Sequence, residues 1–360
     1  MVHPMRPSLV TSLATLTSTV ALVVLGACDD SSTTPSSSTT SSTSTGTGGT
    51  AGAGGIIGGG GTSAGGGAGG PTGGGGAGGV DTCGIGTVAG GGAGPGGGAP
   101  TDRIRVVAAN LTSGNDQSYD GGHGVRILQG LDAHVVLMQE MNFGNNSLTA
   151  IGSLVDDVCD GQCNYIRGPQ AQIPNGVVSR LPILECGSWV DPEVDNRNFV
   201  WARIDVPGDA DLWAISVHFL SSGSSKRTAE ANALLNHIAG AIPPADLIVL
   251  GGDLNTTSRT EGAITALASL FDTASPYPAD HNNNGMTNEP RNEPYDWVLA
   301  DSELSAFEIP VTIGQSVFSA GAVIDTRVYT PLSEIAPAQQ GDSGAPSMQH
   351  MAVVKDFHIQ

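Results

Sequence analysis

The first hundred residues offer almost no side chains that a folded core could bury, and this limits what the chain can become. A Ser/Thr-rich tract is followed by a Gly/Ala-rich tract, and 31 of the 53 glycines lie before residue 101. Such a segment cannot offset the conformational entropy that is lost when a chain becomes ordered. We therefore expect residues 29–100 to be a disordered linker and residues 101–360 to form one large domain.

Residues 1–28 have the pattern of an export signal. Arg6 precedes the apolar segment Leu13–Leu25, and small residues lead from there to Cys28. The tetrapeptide Leu25-Gly26-Ala27-Cys28 resembles a bacterial lipobox, in which the cysteine is acylated and becomes the first mature residue. We predict that lipid on Cys28 anchors an exported protein in the cell envelope, at the outer membrane or the cell surface. An ordinary signal peptide with a chance cysteine is the alternative.

The chain is strongly acidic, with a net charge of −20 at pH 7. Residues 1–100 contribute one arginine and three aspartates, so residues 101–360 carry −18 of this charge. Tight or processive nucleic-acid binding needs clustered Lys and Arg, so this acidic charge argues against a tight or processive nucleic-acid-binding protein. A nuclease that binds weakly, through a metal and a few arginines, remains compatible with this charge. The arginines considered for such contacts, most of them expected on the solvated surface, are Arg180, Arg197, Arg203, Arg227, Arg291 and Arg327.

Four cysteines remain once Cys28 is assigned to lipid. An even number in an exported protein suggests two disulfides, with three pairings open. Cys159 and Cys163 are near enough in sequence to close a tight loop, which would leave Cys83 to join the end of the linker to Cys186. A Cys-x3-Cys metal site is the alternative, although no further ligands lie nearby in sequence.

Short apolar segments alternate with helical patterns after residue 101. We predict helices near Val125–Leu131 and over Leu148–Cys159, Lys226–Ala241 and Glu261–Leu270. The predicted strands lie at or near Ile104–Ala109, Val135–Gln139, Tyr165, Gly176–Ser179, Ile183–Gly187, Val200–Val206, Leu212–His218, Leu247–Leu250, Trp297–Leu299 and Met351–Phe357. This order indicates an α+β sandwich rather than a regular βαβ repeat.

Polar residues of catalytic type stand at the ends of several predicted strands. They are Asn110, Glu140, His218, Asp253 with Asn255, Asp296 and His350. The clearest case is Leu247–Thr256, LIVLGGDLNT, because an extended chain would point Asp253 and Asn255 to one face. An Asx turn that closes a loop is the alternative interpretation. Strand ends on one edge of a sheet can present such side chains to a common site.

The order of these residues, with the Gly-Asp-x-Asn element at Gly252–Asn255, resembles the endonuclease/exonuclease/phosphatase superfamily. Deoxyribonuclease I, abasic-site endonucleases, sphingomyelinases and inositol-polyphosphate phosphatases are members. The resemblance covers about residues 102–357 and implies a deoxyribonuclease I-like fold, a four-layer αββα sandwich. It also implies a metal-dependent phosphodiester hydrolase, without identifying the substrate.

The resemblance assigns the central chemistry to three residues. Glu140 would hold Mg²⁺, with Mn²⁺ or Ca²⁺ as alternatives. His350 would be the general base, and Asp296 would fix its tautomer and stabilise its charged form.

Four further residues would complete the site. Asp253 would orient the water or the leaving group, and His218 would bind a phosphate oxygen, most strongly when protonated. Asn255 and Asn110 would donate hydrogen bonds to the phosphate or tie the metal ligands together.

One position departs from the superfamily pattern. Most members carry Asp immediately before the last histidine, whereas Gln349 precedes His350 here. A neutral amide would weaken a second metal position, and Asp342 in a nearby loop is a candidate for the missing charge. The departure leaves two interpretations open: a divergent active enzyme, or a catalytically silent surface binding module.

From these observations we predict a surface-tethered or secreted, Mg²⁺-dependent nuclease that acts as a monomer and binds nucleic acid or another phosphodiester weakly. A phospholipid or inositol-phosphate hydrolase of the same superfamily is the alternative. A membrane-docking sphingomyelinase would be expected to expose aromatic residues, and these make up only 4% of the chain.

Overall fold

The computed structural model describes residues 103–170 and 172–360. The predicted signal, the lipidation site Cys28, the linker 29–100 and Cys83 lie outside these residues. In the described part of the chain, no helix is both long and apolar enough to cross a membrane.

Five α-helices and two short 3-10 helices occur in the described residues. The α-helices are α1 (His123–Leu131), α2 (Leu148–Cys159), α3 (Ser224–Ala241), α4 (Gly262–Leu267) and α5 (Ser302–Ser305); the 3-10 helices are Leu332–Ile335 and Asp342–Gly344. Helix α2 begins after Ser147, whose side chain accepts a hydrogen bond from the Ala150 N–H and so caps the first turn.

Most of the strands belong to two large sheets. They are β1 (Arg103–Ala109), β2 (Val135–Met138), β3 (Asn164–Arg167), β4 (Gly176–Ser179), β5 (Ile183–Trp189), β6 (Phe199–Ile204), β7 (Leu212–His218), β8 (Leu247–Asp253), β9 (Asp296–Ala300), β10 (Glu308–Ile309), β11 (Val311–Ile313), β12 (Ser316–Phe318), β13 (Ala322–Ile324) and β14 (Ala352–His358). The first sheet has the order β10-β14-β1-β2-β4-β3, and β13 also pairs with β14. The second has the order β5-β6-β7-β8-β9, and β11 and β12 form a separate hairpin.

The two sheets pack face to face and helices cover both outer faces. Strand β1 illustrates the layering, because its alternate residues belong to two different cores. Val106 and Ala108 face the second sheet, together with residues such as Val249, whereas Val107 and Ala109 pack under α1 and α2. Helices α3 and α4 cover the outer face of the second sheet in a third core. This arrangement confirms the predicted four-layer αββα sandwich and explains why the central strands, such as β2, β7 and β8, are buried on both faces.

The predicted elements agree closely with the structure where they are long. Helix α2 and strands β4 and β7 have the predicted bounds, and most other ends differ by one to three residues. Helix α5 and strands β10 to β13 were not predicted. Each has only two to four residues, too few for a periodic apolar pattern to stand out.

The predicted tight disulfide is present. Cys159 and Cys163 are joined, which excludes a metal site at this pair. Cys186 is also disulfide-bonded. Its predicted partner, Cys83, lies outside the described residues.

Candidate active site

The strand directions bring six predicted residues to one edge of the sandwich. Strands β1 and β2 are parallel, so Asn110 and Glu140 emerge at the same end, and the antiparallel β14 begins there just after His350. In the second sheet, β7 and β8 are parallel and end at His218 and Asp253, which are register partners. Asp296 opens the antiparallel β9 opposite Asp253. All six side chains are buried, with at most 3% of their surface exposed.

The two glycines at the end of β8 permit this close approach. A Cβ on Gly251 would lie 2.5 Å from a Leu137 methyl group of the facing sheet. A Cβ on Gly252 would lie 1.9 Å from the Val217 carbonyl oxygen and 2.8 Å from the Gln139 amide, and its φ of +146° is one that other residues rarely adopt. Glycine is therefore required where the two halves of the site meet.

His350 lies between two carboxylates. Its Nδ1 is 3.0 Å from Asp296 Oδ2, and its Nε2 is 3.4 Å from Asp253 Oδ2. Burial alone would lower the pKa of His350, but Asp296, Asp253 and Glu140 together raise it to about 10. The backbone N–H of Asp296 donates to Thr287 Oγ1 at 2.7 Å, which fixes the start of β9. The His350–Asp296 contact is the geometry of a histidine whose tautomer is set by an acid.

Asn110 connects the remaining acids. Its Nδ2 lies 3.1 Å from Asp253 Oδ2 and 3.4 Å from both Glu140 Oε1 and His350 Nε2. Its Oδ1 is buried and has no hydrogen-bond partner within the described chain. Burial raises the pKa of Asp253 to about 6 despite the opposing charge of His350. The amide nitrogen of Asn110 therefore faces the two carboxylates, while its unpaired oxygen is an additional group that a cation can satisfy.

Glu140 has no basic Lys or Arg partner among the described residues. Its Oε2 accepts a 2.9 Å hydrogen bond from Thr112, and its Oε1 lies 3.9 Å from His218 Nδ1. Its φ of 50° is left-handed, which ends β2 and is unusual for a residue other than glycine. Burial raises the pKa of its carboxyl. A buried acid on a strained backbone and without a cationic side chain is a fitting metal ligand.

The surroundings of His218 favour its neutral imidazole. Burial, then the charges of Arg197 and His350, lower its pKa well below the usual value. Its Nε2 is 3.3 Å from Asp253 Oδ2, and Arg197 donates to the His218 carbonyl oxygen at 2.6 Å. The expectation of a charged His218 on a phosphate is therefore not supported, although a neutral ring can still donate one N–H.

The predicted side-by-side arrangement of Asp253 and Asn255 is wrong. Strand β8 ends at Asp253, and Asn255 has a left-handed φ of 49°. Its N–H donates to Asp253 Oδ1 at 2.9 Å, which is the Asx turn named above as the alternative, and its Nδ2 donates to the Phe219 carbonyl oxygen at 3.0 Å. The local hydrogen bonds override the extended geometry, so Asn255 supports the loop around Asp253.

The other two predicted positions also differ from expectation. Asp342 does not supply charge to the site, because its carboxylate pairs with Arg126 at 2.5 Å and accepts the Gln339 N–H at 2.8 Å. The side chain of Gln349 is exposed, and its carbonyl oxygen accepts the Glu289 N–H at 2.7 Å.

The arginines considered as phosphate ligands are engaged inside the fold. Arg197 and Arg227 are almost fully buried, contrary to the expected solvated positions. Five of the six pair with acids, namely Arg180 with Asp132, Arg203 with Glu185 and Asp211, Arg227 with Glu261, Arg291 with Asp280, and Arg327 with Asp325 and Glu289. A sequence does not reveal which distant acid an arginine will meet.

Three supporting roles were missed in the sequence analysis, including that of Arg197, which was considered there only as a phosphate ligand. Thr112 donates to Glu140, Thr287 accepts from the Asp296 N–H, and Arg197 holds the end of β7. Thr112 could have been found, since it lies two residues after Asn110, whereas nothing local identifies the other two.

Comparisons with known proteins agree with this fold. The family model of the endonuclease/exonuclease/phosphatase family matches residues 89–319, and His350 lies beyond the matched part. The fold is similar to two bacterial proteins of that family. One, from Bacteroides vulgatus, has a TM-score of 0.50 and 13% identity, with 72% of this chain and 99% of that chain covered. The other, from Bacteroides thetaiotaomicron, has a TM-score of 0.50 and 15% identity, with 72% and 98% covered.

No curated protein matches the sequence. The two structural likenesses are too distant in sequence to show more than the fold, but the family model covers well over half of the chain. Members of the family hydrolyse phosphate esters and generally use divalent metal ions, for which Asp253, Asp296 and His350 offer ligand atoms within 4.8 Å of one another. The fold, the arrangement of the site and the family match lead to one conclusion: this chain belongs to the endonuclease/exonuclease/phosphatase family.

Proposed function

We propose that this protein is an exported, surface-tethered phosphodiesterase that hydrolyses nucleic acid with a histidine general base and Mg²⁺. The observation that carries the proposal is the buried His350–Asp296 pair beside Asp253, Asn110 and Glu140. A site of this kind can activate a water and offset phosphoryl charge within one small volume.

The residues fit a hard divalent cation. Mg²⁺ prefers one or two carboxylates and retained waters, and the buried Glu140 offers carboxylate oxygens without a Lys or Arg partner among the described residues. We assign Glu140 rather than the Asp253, Asp296 and His350 group, because His350 and Asp296 are already hydrogen-bonded to each other. When bound, the cation would polarise the phosphate and stabilise the leaving oxygen.

The remaining steps belong to the protein's own side chains. His350 accepts the proton of the attacking water at Nε2, and Asp296 holds the proton on Nδ1. A base must be neutral, yet three carboxylates hold the pKa of His350 at about 10. His350 can therefore act as a base only when part of the negative charge of these carboxylates is offset. This requirement links the basicity of His350 to cation binding at Glu140. Asp253 orients the water or the leaving group, and Asn110 donates to the phosphate.

The surface favours a nucleic acid over a lipid, and the charge allows only weak binding of a nucleic acid. Residues 101–360 carry a net charge of −18, and most of their arginines are paired with acids. The exposed large apolar residues in the described chain, Leu148, Leu184, Val190, Phe307 and Val317, include a single aromatic side chain. A membrane-docking enzyme would need a larger aromatic surface. A phospholipid or inositol-phosphate hydrolase is therefore the second candidate.

The tether would hold this monomeric enzyme near the cell surface. Lipid on Cys28 provides the anchor, and 70 flexible linker residues would span roughly 45 Å on average. We expect Cys28→Ser to release soluble protein and to abolish labelling with a fatty-acid probe. Unchanged membrane fractionation of this variant would contradict the anchor.

A substrate panel tests the enzymatic proposal. The purified protein is incubated with DNA, RNA, sphingomyelin vesicles and an inositol polyphosphate, each with Mg²⁺ and with EDTA. We expect Mg²⁺-dependent cleavage of a nucleic acid. Turnover of only a lipid or an inositol phosphate would favour the second candidate, and binding without turnover of any substrate would favour a silent module.

A further inference from the structure

The loop between α4 and β9 carries the spacing of a calcium-binding loop. From Asp280 the sequence is DHNNNGMTNEPR, with oxygen-bearing side chains at positions 1, 3, 5 and 9 and glycine at position 6. In calcium loops of this kind position 12 is a glutamate that binds the ion. Here position 12 is Arg291, which is a cation itself.

The guanidinium of Arg291 lies against Asp280, the acid at position 1 that such an ion would bind, and against one backbone oxygen of the loop. Its Nη2 contacts Asp280 Oδ2 at 2.6 Å and the Asn284 carbonyl oxygen at 2.9 Å. Its Nε lies 3.6 Å from Asp325 Oδ2, an ion-pair distance, and neither Nε nor Nη1 has a hydrogen-bond partner within the described chain. One nitrogen therefore serves two oxygens as a single positive centre, much as a metal ion would.

The backbone of the loop is arranged around the same acid. Asp280 Oδ1 accepts the N–H groups of Asn282 and Asn284 at 2.8 and 2.9 Å. A Cβ on Gly285 would lie 2.6 Å from the Pro278 carbonyl oxygen, so position 6 must be glycine here as well.

This loop also holds the catalytic pair. The Thr287 side chain accepts the Asp296 N–H at 2.7 Å, and the Thr287 carbonyl oxygen accepts the Met351 N–H at 2.7 Å. Asn288 forms an isolated β-bridge with His350. Displacement of the loop would therefore move both partners of the His350–Asp296 contact.

We propose that Arg291 is an internal substitute for a calcium ion, and that it positions His350 and Asp296 by closing the loop at residues 280–291. The wild-type loop then needs no metal. Arg291 is a positioning residue, because it acts through Thr287 and Asn288 rather than on the substrate.

The charge pattern makes the proposal specific. Arg291→Glu would restore the acid of position 12 and would face it toward Asp280, so two carboxylates would repel each other unless a divalent cation lay between them. Arg291→Gln is the matched control, because it removes the positive charge without adding a ligand of equal strength.

The first test measures binding and does not depend on the proposed function. The two variants and the unchanged protein are compared in a Glu140→Gln background, which removes the acid assigned to the catalytic metal. Ca²⁺ should raise the melting temperature of Arg291→Glu only, since a ligand that binds only the folded state stabilises it. Tb³⁺ should give saturable luminescence sensitised by Trp297 that is stronger in Arg291→Glu than in the other two proteins, because Arg259 contacts both the Trp297 ring and the Gly285 carbonyl oxygen.

The second test rests on the proposed function and uses proteins with intact Glu140. Arg291→Gln should lose about 10- to 100-fold in kcat, as supporting residues of a site commonly do. Arg291→Glu should lose as much without Ca²⁺ and recover most of the rate when Ca²⁺ is added to excess Mg²⁺. A purely structural role would not produce a calcium-dependent recovery.

The contrary outcomes are distinct. If Ca²⁺ leaves the melting temperature of Arg291→Glu unchanged, or that variant stays unfolded with Ca²⁺, the comparison with a calcium loop is wrong. If Ca²⁺ stabilises the Glu140→Gln protein with native Arg291 as much as it stabilises the Arg291→Glu variant, the loop gains no cation site from the substitution and the guanidinium does not occupy a cation position. If binding behaves as expected but no variant or wild-type protein hydrolyses any substrate, the proposed function fails while the loop assignment stands.

Discussion

Glu230 should make the stability of this protein depend on pH, although it lies outside the catalytic cluster. It is fully buried on α3, and both its oxygens accept the Leu220 N–H, at 2.9 and 3.0 Å. Burial and the neighbouring Asp191 raise its pKa to about 9. Asp191 Oδ2 is also buried and has no partner in the described chain, so a proton shared by the two carboxyls satisfies both residues.

The direction of this pH dependence follows from the fact that the folded state holds the proton more tightly than the unfolded state. An unfolded glutamate ionises near pH 4.3, whereas the folded one keeps its proton until about pH 9. The stabilising effect is therefore complete below the unfolded pKa and is lost as the pH rises through the folded pKa. Because the folded state binds one more proton than the unfolded state in this range, the free energy of unfolding falls by about 1.4 kcal/mol for each pH unit of increase. From pH 6 to pH 8 the fall is about 3 kcal/mol.

Glu230→Gln should remove this loss, because an amide keeps an acceptor for Leu220 and a donor for Asp191 at every pH. Urea unfolding at pH 6 and pH 8 measures the difference, and Glu303→Gln on the exposed face of α5 is the matched control. Between pH 6 and pH 8 we expect the free energy of unfolding to fall by about 3 kcal/mol more in the wild type than in Glu230→Gln. Glu303→Gln should behave as the wild type. Equal declines in all three proteins would mean that Glu230 is ionised in the fold.

Four other variants test the site. His350→Ala and Glu140→Ala should each lose at least about 10²-fold in kcat while remaining folded by circular dichroism, and wild-type rates in either would refute the assignment. Gly252→Ala should cost about 3 kcal/mol of stability in urea, because its Cβ would overlap a backbone oxygen, whereas Gly240→Ala in the open part of α3 should cost nothing. Gln349→Asp should change the Mg²⁺ requirement less than about threefold, since a charge on this exposed side chain is screened by water; a larger shift would show that the position belongs to the site.

The fold was predictable because its strands are covered on both sides. A run such as LIVLGGD can only be buried, and the polar residue that ends it must then lie at an edge. Recurrence of this pattern predicted the edge where Asn110, Glu140, Asp253, Asp296 and His350 meet. The short strands β10 to β13 carry no such pattern, since two or three residues cannot show a period.

The sequence was a poorer guide wherever one residue depends on a distant partner. Asp342 was a candidate for the site, yet Arg126 binds it, and Arg197 was expected in solvent but lies under the end of β7. The predicted orientation of Asn255 was wrong for a local reason. Its own N–H donates a hydrogen bond to Asp253, and only a turn allows that bond. The role of the loop at residues 280–291 was missed because an arginine stands where a calcium loop would carry an acid.

The Mg²⁺ dependence of phosphodiester hydrolysis tests the central claim most directly. Initial rates are measured against Mg²⁺ concentration for the wild type, Glu140→Gln and His350→Ala, with Mg²⁺ binding followed in parallel by calorimetry. We predict that the wild type turns over only with Mg²⁺, that Glu140→Gln needs far more of it, and that His350→Ala binds Mg²⁺ but does not turn over. Hydrolysis that persists in EDTA, or an unchanged Mg²⁺ requirement in Glu140→Gln, would contradict a cation held at Glu140 beside a His350 base.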